Sequence, residues 1–233
     1  MPQHFMPFTP THAIVVVAFL ASLTALCAWA RRAPAARRRR AEIALGSANV
    51  LAWFAYVVYW FAPARFSWER ALPLHLCDLA ALVAPLAMLL GDRIRWLRTL
   101  TFYWGLVLSS QAFITPTLTD GPADLYFWIF WYQHAAIVGG AVYELAARHY
   151  HPTARDFLLA TALSLGYLVT VLAVNIGLSA NYGYVGPSLP LNPTVLDALG
   201  PWPPRVLLVI VLATAAFAIA TPLGALAARV LRR

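Results

Sequence analysis

Three side chains within four positions define the chemistry open to this chain: His75, Cys77 and Asp78, in the stretch Leu72-Pro73-Leu74-His75-Leu76-Cys77-Asp78-Leu79. An imidazole, a thiol and a carboxylate can support nucleophilic attack by a thiolate or ligation of a metal. They stand at the head of a long apolar run, where ionisable groups are expensive and mark a functional site by default. On an ideal helix His75 and Asp78 share a face and can satisfy each other. At 3.6 residues per turn Cys77 falls about 100° from Asp78 and about 200° from His75. His75 is therefore poorly placed as a base for Cys77, and a histidine on another helix fits better. Zinc would need several converging ligands. His75, Cys77, Asp78 and His134 could supply four, but His75 and Cys77 point apart, so no metal is expected. No G-x-S-x-G, P-loop or dinucleotide fingerprint occurs, and no cofactor is expected.

Other polar groups lie in apolar surroundings: Gln111, His134, Asn175, Asn181 and Tyr182. Each also has a structural reading. A lone cysteine is more often a small buried hydrophobe than a nucleophile, which is how Cys27 reads. A mid-span histidine must find a partner or stay neutral. Gln111 and Asn175 can serve as hydrogen-bond glue between helices. The small residues Ala135, Ala136, Gly139 and Gly140 read as a close-packing stripe.

The elements that position these groups follow from composition. Of 233 residues, 61% are hydrophobic and 11% charged, with mean hydropathy +0.69. A soluble domain carries roughly a quarter charged residues, so this chain reads as an all-α, polytopic membrane protein forming a single domain over 1–233. Seven runs reach the length of about 20 apolar residues that crosses a bilayer: 12–30, 43–61, 72–91, 97–115, 124–147, 156–178 and 204–228. Each is expected to be helical, because the bilayer interior offers backbone groups no water. The net charge of +8 comes from arginine alone among the basic residues. Its placement beside apolar runs argues for membrane topology and against a nucleic-acid surface. Arg31, Arg32, Arg37, Arg38, Arg39, Arg40, Arg93, Arg95, Arg98, Arg148, Arg155, Arg229, Arg232 and Arg233 follow the odd-numbered runs; only Arg65, Arg70 and Arg205 lie on the other side. The positive-inside rule then puts the N-terminus outside and the C-terminus in the cytoplasm. The first run, with no basic residue before it, reads as a retained helix rather than a cleaved signal.

This topology gathers the polar groups. Cys77 lies seven residues below Arg70, on the order of 10 Å from the outer end of its helix. His134 lies ten residues past Asp124, on the order of 15 Å down from the same face. Gln111, Asn175, Asn181 and Tyr182 sit near outer ends, whereas Asn49 and Glu144 read as more isolated in the inner half. The outer loops 115–123 and 179–203 are rich in Pro and Gly, and the second is long enough to suggest a function.

Several blocks in order strengthen one reading. The 72–78 stretch, Tyr103-Trp104-Gly105, Gln111-Ala112, Thr115-Pro116, the aromatic run ending in His134, Asn181-Tyr182-Gly183-Tyr184, Leu196-Asp197 and Gly200-Pro201-Trp202-Pro203 together resemble the YwaF-like integral membrane proteins. That group is related to the eukaryotic transmembrane protein 164 family. The resemblance implies a Cys–His phospholipid acyltransferase acting through a thioester, with Cys77 as nucleophile and His134 as general base. His75, Asp78, Gln111, Asn175, Asn181 and Tyr182 would orient the substrate or support the site. The partners implied are membrane phospholipids and lysophospholipids, with no nucleic acid, in a multi-pass position in a bacterial plasma membrane. A small-molecule transporter or channel, and a structural or sensory bundle, are the alternatives; the first needs a polar path through both leaflets, while the polar groups cluster in one.

Overall fold

The protein is seen in a computed structural model that describes residues 4–68, 71–187 and 195–231. Arg70, Arg232, Arg233 and the middle of the 179–203 loop lie outside the described residues. The fold is all-α, with no strand among the described residues. Its main elements are α1 (Pro10–Arg32), α2 (Ala35–Phe61), α3 (Leu76–Leu90), α4 (Arg95–Leu100), α5 (Leu125–Ala146), α6 (Ala154–Leu178) and α7 (Arg205–Leu231). Four of them, α1, α2, α6 and α7, are long and apolar enough to cross a membrane. The core is built from α3, the α4 segment, α5 and one face of α7, and Leu100, Phe102, Tyr103, Ile137 and Phe217 are buried in it. The outer faces of α1, α2, α6 and α7 carry exposed Val17, Leu51, Val58, Val169, Val211 and Ile219, an apolar surface of the kind lipid tails cover.

Three expected runs change. The run expected at 43–61 starts earlier, at Ala35, so Arg37, Arg38, Arg39 and Arg40 lie within α2 and not in a loop before it. The run predicted at 72–91 becomes helical only at Leu76. Pro73 has no backbone N–H and disfavours helical geometry at the residue before it, so the chain turns instead, and His75 is the extended N-cap (φ −63°, ψ 147°). The helix stops at Gly91, whose positive φ of 60° suits glycine. The run predicted at 97–115 is one helical segment but not one regular α-helix. After α4 it widens into a π-helix over Thr101–Leu108 and tightens into a 3-10 helix over Ser109–Phe113. Gly105 in the wide part lies so close to α5 that a Cβ would sit 3.0 Å from the Ile137 carbonyl. The small-residue stripe acts in the same way, since a Cβ on Gly140 would meet Ala84 at 3.2 Å.

Polar contacts gather several termini at one basic end of the bundle. Arg31 donates to the Leu231 carbonyl, joining the last turns of α1 and α7. Arg39 on α2 donates to the Met88 and Leu89 carbonyls that α3 leaves unpaired. Glu144, which the sequence left isolated, is a buried hub: Arg98 and Arg148 each reach it at 2.6 Å. Arg98 is only 7% exposed, so it is an internal partner and not a flanking surface charge. Arg95 pairs with Asp156 at the head of α6. Arg205 likewise proves buried, paired with Asp197 and donating to the Gly186 carbonyl, which ties the described parts of the 179–203 loop to the head of α7.

Candidate active site

At the proline-rich end, opposite the arginines, a cavity of about 420 Å³ lies among α2, α3, the α4 segment, α5, the 182–184 turn and α7. His75, Cys77, Asp78, Gln111 and His134 all line it. Helices distant in sequence therefore bring five of the eight expected residues to one space.

Cys77 occupies the second helical position of α3, because that helix starts at Leu76. Its sulfur lies against the backbone N–H groups of Cys77 and Asp78. The first N–H groups of a helix have no intrahelical acceptor and carry the positive end of its dipole, so they can donate to negative charge that develops beside them. The thiol is free and half-buried, as a cavity-lining group should be.

His134 is buried on α5, with its ring 4.2 Å from that of Phe130. Its Nδ1 lies 2.8 Å from the Phe130 carbonyl. A carbonyl only accepts, so Nδ1 carries the proton and Nε2 of the neutral ring is left as an acceptor. The orienting group is thus the helix's own backbone. Asp78 is engaged elsewhere: Oδ2 accepts from the His75 N–H at 3.1 Å, Oδ1 accepts from Gln133 Nε2 at 3.1 Å, and the Tyr56 hydroxyl also reaches the carboxylate. Helix geometry predicted that His75 and Asp78 would satisfy each other. They do so through the His75 backbone N–H, while its ring accepts from the Gly183 N–H at 3.3 Å and packs against Tyr182 and Tyr184.

Gln111 stands exposed at the mouth, accepting from Thr115 at 3.4 Å. Asn175, Asn181 and Tyr182 do not line the cavity. Asn175 is fully buried and clasps the Tyr182 backbone from both sides, donating to its carbonyl at 2.9 Å and accepting from its N–H at 2.7 Å. Asn181 accepts from the Gly186 N–H at 2.8 Å. The Tyr182 hydroxyl donates to the Trp68 carbonyl and accepts from the Leu72 N–H. These three build the wall that carries Gly183 and Tyr184, and they hold the turn leading into α3.

Sequence reasoning missed Tyr56, Gln133 and Tyr184, which all line the cavity. Burial pushes the Tyr184 hydroxyl up to about 12, with the neighbouring Cys77 acting in the same direction, so it stays a neutral phenol. Gln133 had a usable signal, being a second polar residue beside His134 in an apolar run. Tyr56 had none, since an aromatic in a span reads as packing. Among the described residues no three His, Cys, Asp or Glu side chains gather as metal ligands do. The family model described as the TMEM164 family matches residues 2–221. No curated protein and no solved structure matches the chain.

Proposed function

We propose a function from the premise that this membrane protein belongs to the TMEM164 family, whose model spans residues 2–221 of the chain: it transfers acyl chains between membrane phospholipids and lysophospholipids through a Cys77 thioester. One observation carries the reading. Cys77 at the head of α3 and His134 with Nε2 left as an acceptor share one cavity.

In the first half-reaction His134 Nε2 takes the proton from the Cys77 thiol as the sulfur attacks the ester carbonyl of a phospholipid. A free thiol is only a few per cent thiolate at neutral pH, so this transfer matters; general acid–base help is worth about 10²–10⁴ in rate. The tetrahedral oxyanion is stabilised by donors at the head of α3, with the Gln111 amide within the same cavity. The ester C–O bond breaks, the imidazolium returns its proton to the departing alkoxide, and a lysolipid leaves. In the second half His134 takes the proton from an acceptor lysolipid hydroxyl, whose oxygen attacks the thioester. The C–S bond breaks and the Cys77 thiolate takes the proton back. No cofactor is required for either half.

The setting belongs to the same reading. The seven helical segments form a single domain that crosses a bacterial plasma membrane seven times, N-terminus outside and basic end in the cytoplasm. The cavity then opens toward the outer half of the bilayer, where ester linkages lie near the head of the acyl region. α3, with 15 residues, spans about 22 Å at 1.5 Å per residue. It covers less than the roughly 30 Å hydrocarbon core, so its N-terminus stays below the surface, where a cavity can admit the upper part of a lipid.

The test compares wild type, Cys77→Ala and His134→Ala in membranes lacking any other copy. Hydroxylamine-sensitive acyl label on wild type only, with acyl exchange lost in both variants at equal protein levels, is expected. Unchanged acyl composition in all three, with no thioester, overturns the proposal.

A further inference from the structure

A second cavity of about 490 Å³ lies between α2 and α5, floored by Ala81 of α3. Its walls are mainly apolar and aromatic, with Ala52 and Tyr59 on one side and Trp128, Ile129 and Tyr132 on the other. Trp128 and Tyr132 are half-exposed at its open side, toward the lipid face. Tyr56 and Gln133 line both this groove and the cavity that holds Cys77. These are the two side chains that hold the Asp78 carboxylate.

The groove exists because α2 is pinned at two separated points. Near the basic end Gly46 lets it lie against α3 so closely that a Cβ would fall 2.7 Å from Leu89 Cγ. At the other end Trp60 meets Tyr126 of α5 edge to face, with ring centroids 5.2 Å apart. Between these pins α2 packs on α3 and barely touches α5, which leaves a slot. The slot runs along α2 from Asn49 to Tyr59, about 15 Å at the helical rise. That is half of a hydrocarbon core of about 30 Å, the depth of one leaflet. Asn49 marks one end of the slot, with its own amide donating to the Leu45 carbonyl at 2.8 Å.

We infer that this groove holds one hydrocarbon chain of a membrane glycerophospholipid, lying along α2 and α5, with its ester end turned past Tyr56 and Gln133 toward Cys77. The length matches one leaflet, the walls are apolar, and the shared wall is the polar one, as a chain ending in an ester requires. Calling that chain a substrate rests on the acyl-transfer reading above; its occupancy of the groove does not.

The test uses full-length Cys77→Ala protein in phosphatidylcholine nanodiscs carrying a trace of phosphatidylcholine with a diazirine on its acyl chain. After illumination, adducts are mapped by peptide mass spectrometry. Adducts on 49–59 and 125–136 severalfold denser than on the lipid-facing side of α7 at Leu207 and Val211 are expected. Ala136→Trp, or Ala52→Trp on the opposite wall, removes them, and Val211→Trp does not. Equal density on α7 and the groove, or adducts that survive both fillings in protein that still runs as a monodisperse peak, overturn the inference. Labelling by a free diazirine fatty acid but not by the phospholipid overturns the glycerolipid assignment. The two proposals fail separately. A labelled groove with a wild-type Cys77 that is never acylated supports the groove against acyl transfer. An acylated Cys77 with an unlabelled groove removes the groove alone.

Discussion

At the scale of single residues, the site depends on which polar groups are already committed. Cys77 and His134 both line the cavity: the Phe130 carbonyl accepts the hydrogen bond of His134 Nδ1, and the backbone N–H groups at the head of α3 lie against the Cys77 sulfur. Asn175 is the contrasting case. It was expected near the substrate, yet both ends of its amide are used on the Tyr182 backbone. Asn175→Leu strands a buried N–H and a buried carbonyl, each worth about 1–3 kcal/mol when unpaired. The thermal midpoint should therefore fall, and thioester formation should fall in step with the folded fraction instead of independently of it. Gln133→Leu removes one donor from Asp78 and leaves the helices intact. It should lower the acylation rate more than stability, read as loading rate against midpoint on the same preparation.

At the scale of elements, two local devices set the geometry. Pro73 delays the start of α3, which moves Cys77 from an interior turn to the first turn. Gly183 holds φ 66° in the turn facing it, and a Cβ there would stand 2.5 Å from the Tyr167 hydroxyl. Gly183→Ala adds a left-handed backbone penalty of roughly 1–2 kcal/mol and pushes Tyr167 from its bond to the Leu74 carbonyl. Reduced thioester loading with the helical circular dichroism signal retained is the expected result. At the opposite end, Glu144 compensates Arg98 and Arg148 together. Glu144→Gln removes the carboxylate that Arg98 and Arg148 share, and breaking such a buried pair costs about 3–5 kcal/mol. A large drop in denaturation midpoint is expected.

At the scale of the whole molecule, charge and chemistry are segregated. The arginine end is a set of ion pairs and carbonyl contacts that involves all seven helices, while the cavities lie away from it. With the proposed orientation, a cysteine introduced at Thr119 in a background lacking Cys27 and Cys77 should react with an impermeant maleimide on intact cells. One at His149 should react only after permeabilisation. The reverse pattern would place the cavity toward the cytoplasmic leaflet.

The sequence alone determined that this is a helical membrane protein, where most of its helical segments lie, and which stretch gathers ionisable groups in an apolar run. Hydropathy and arginine placement act locally, and the 72–79 stretch combines three ionisable groups that an apolar run does not carry without reason. Tertiary structure decided the rest. Whether His75 sits inside α3 depended on one proline against a strong apolar pattern, and the turn won. Whether Glu144 was isolated depended on Arg98, 46 positions earlier in the chain. That Asn175 serves a loop, that Gln133 and Tyr56 hold Asp78, and that Cys77 and His134 share a space all depend on how separate helices rotate and cross. Rotation and crossing follow from close contacts such as Gly105 on Ile137 and Gly140 on Ala84, and periodicity within a single run does not encode them.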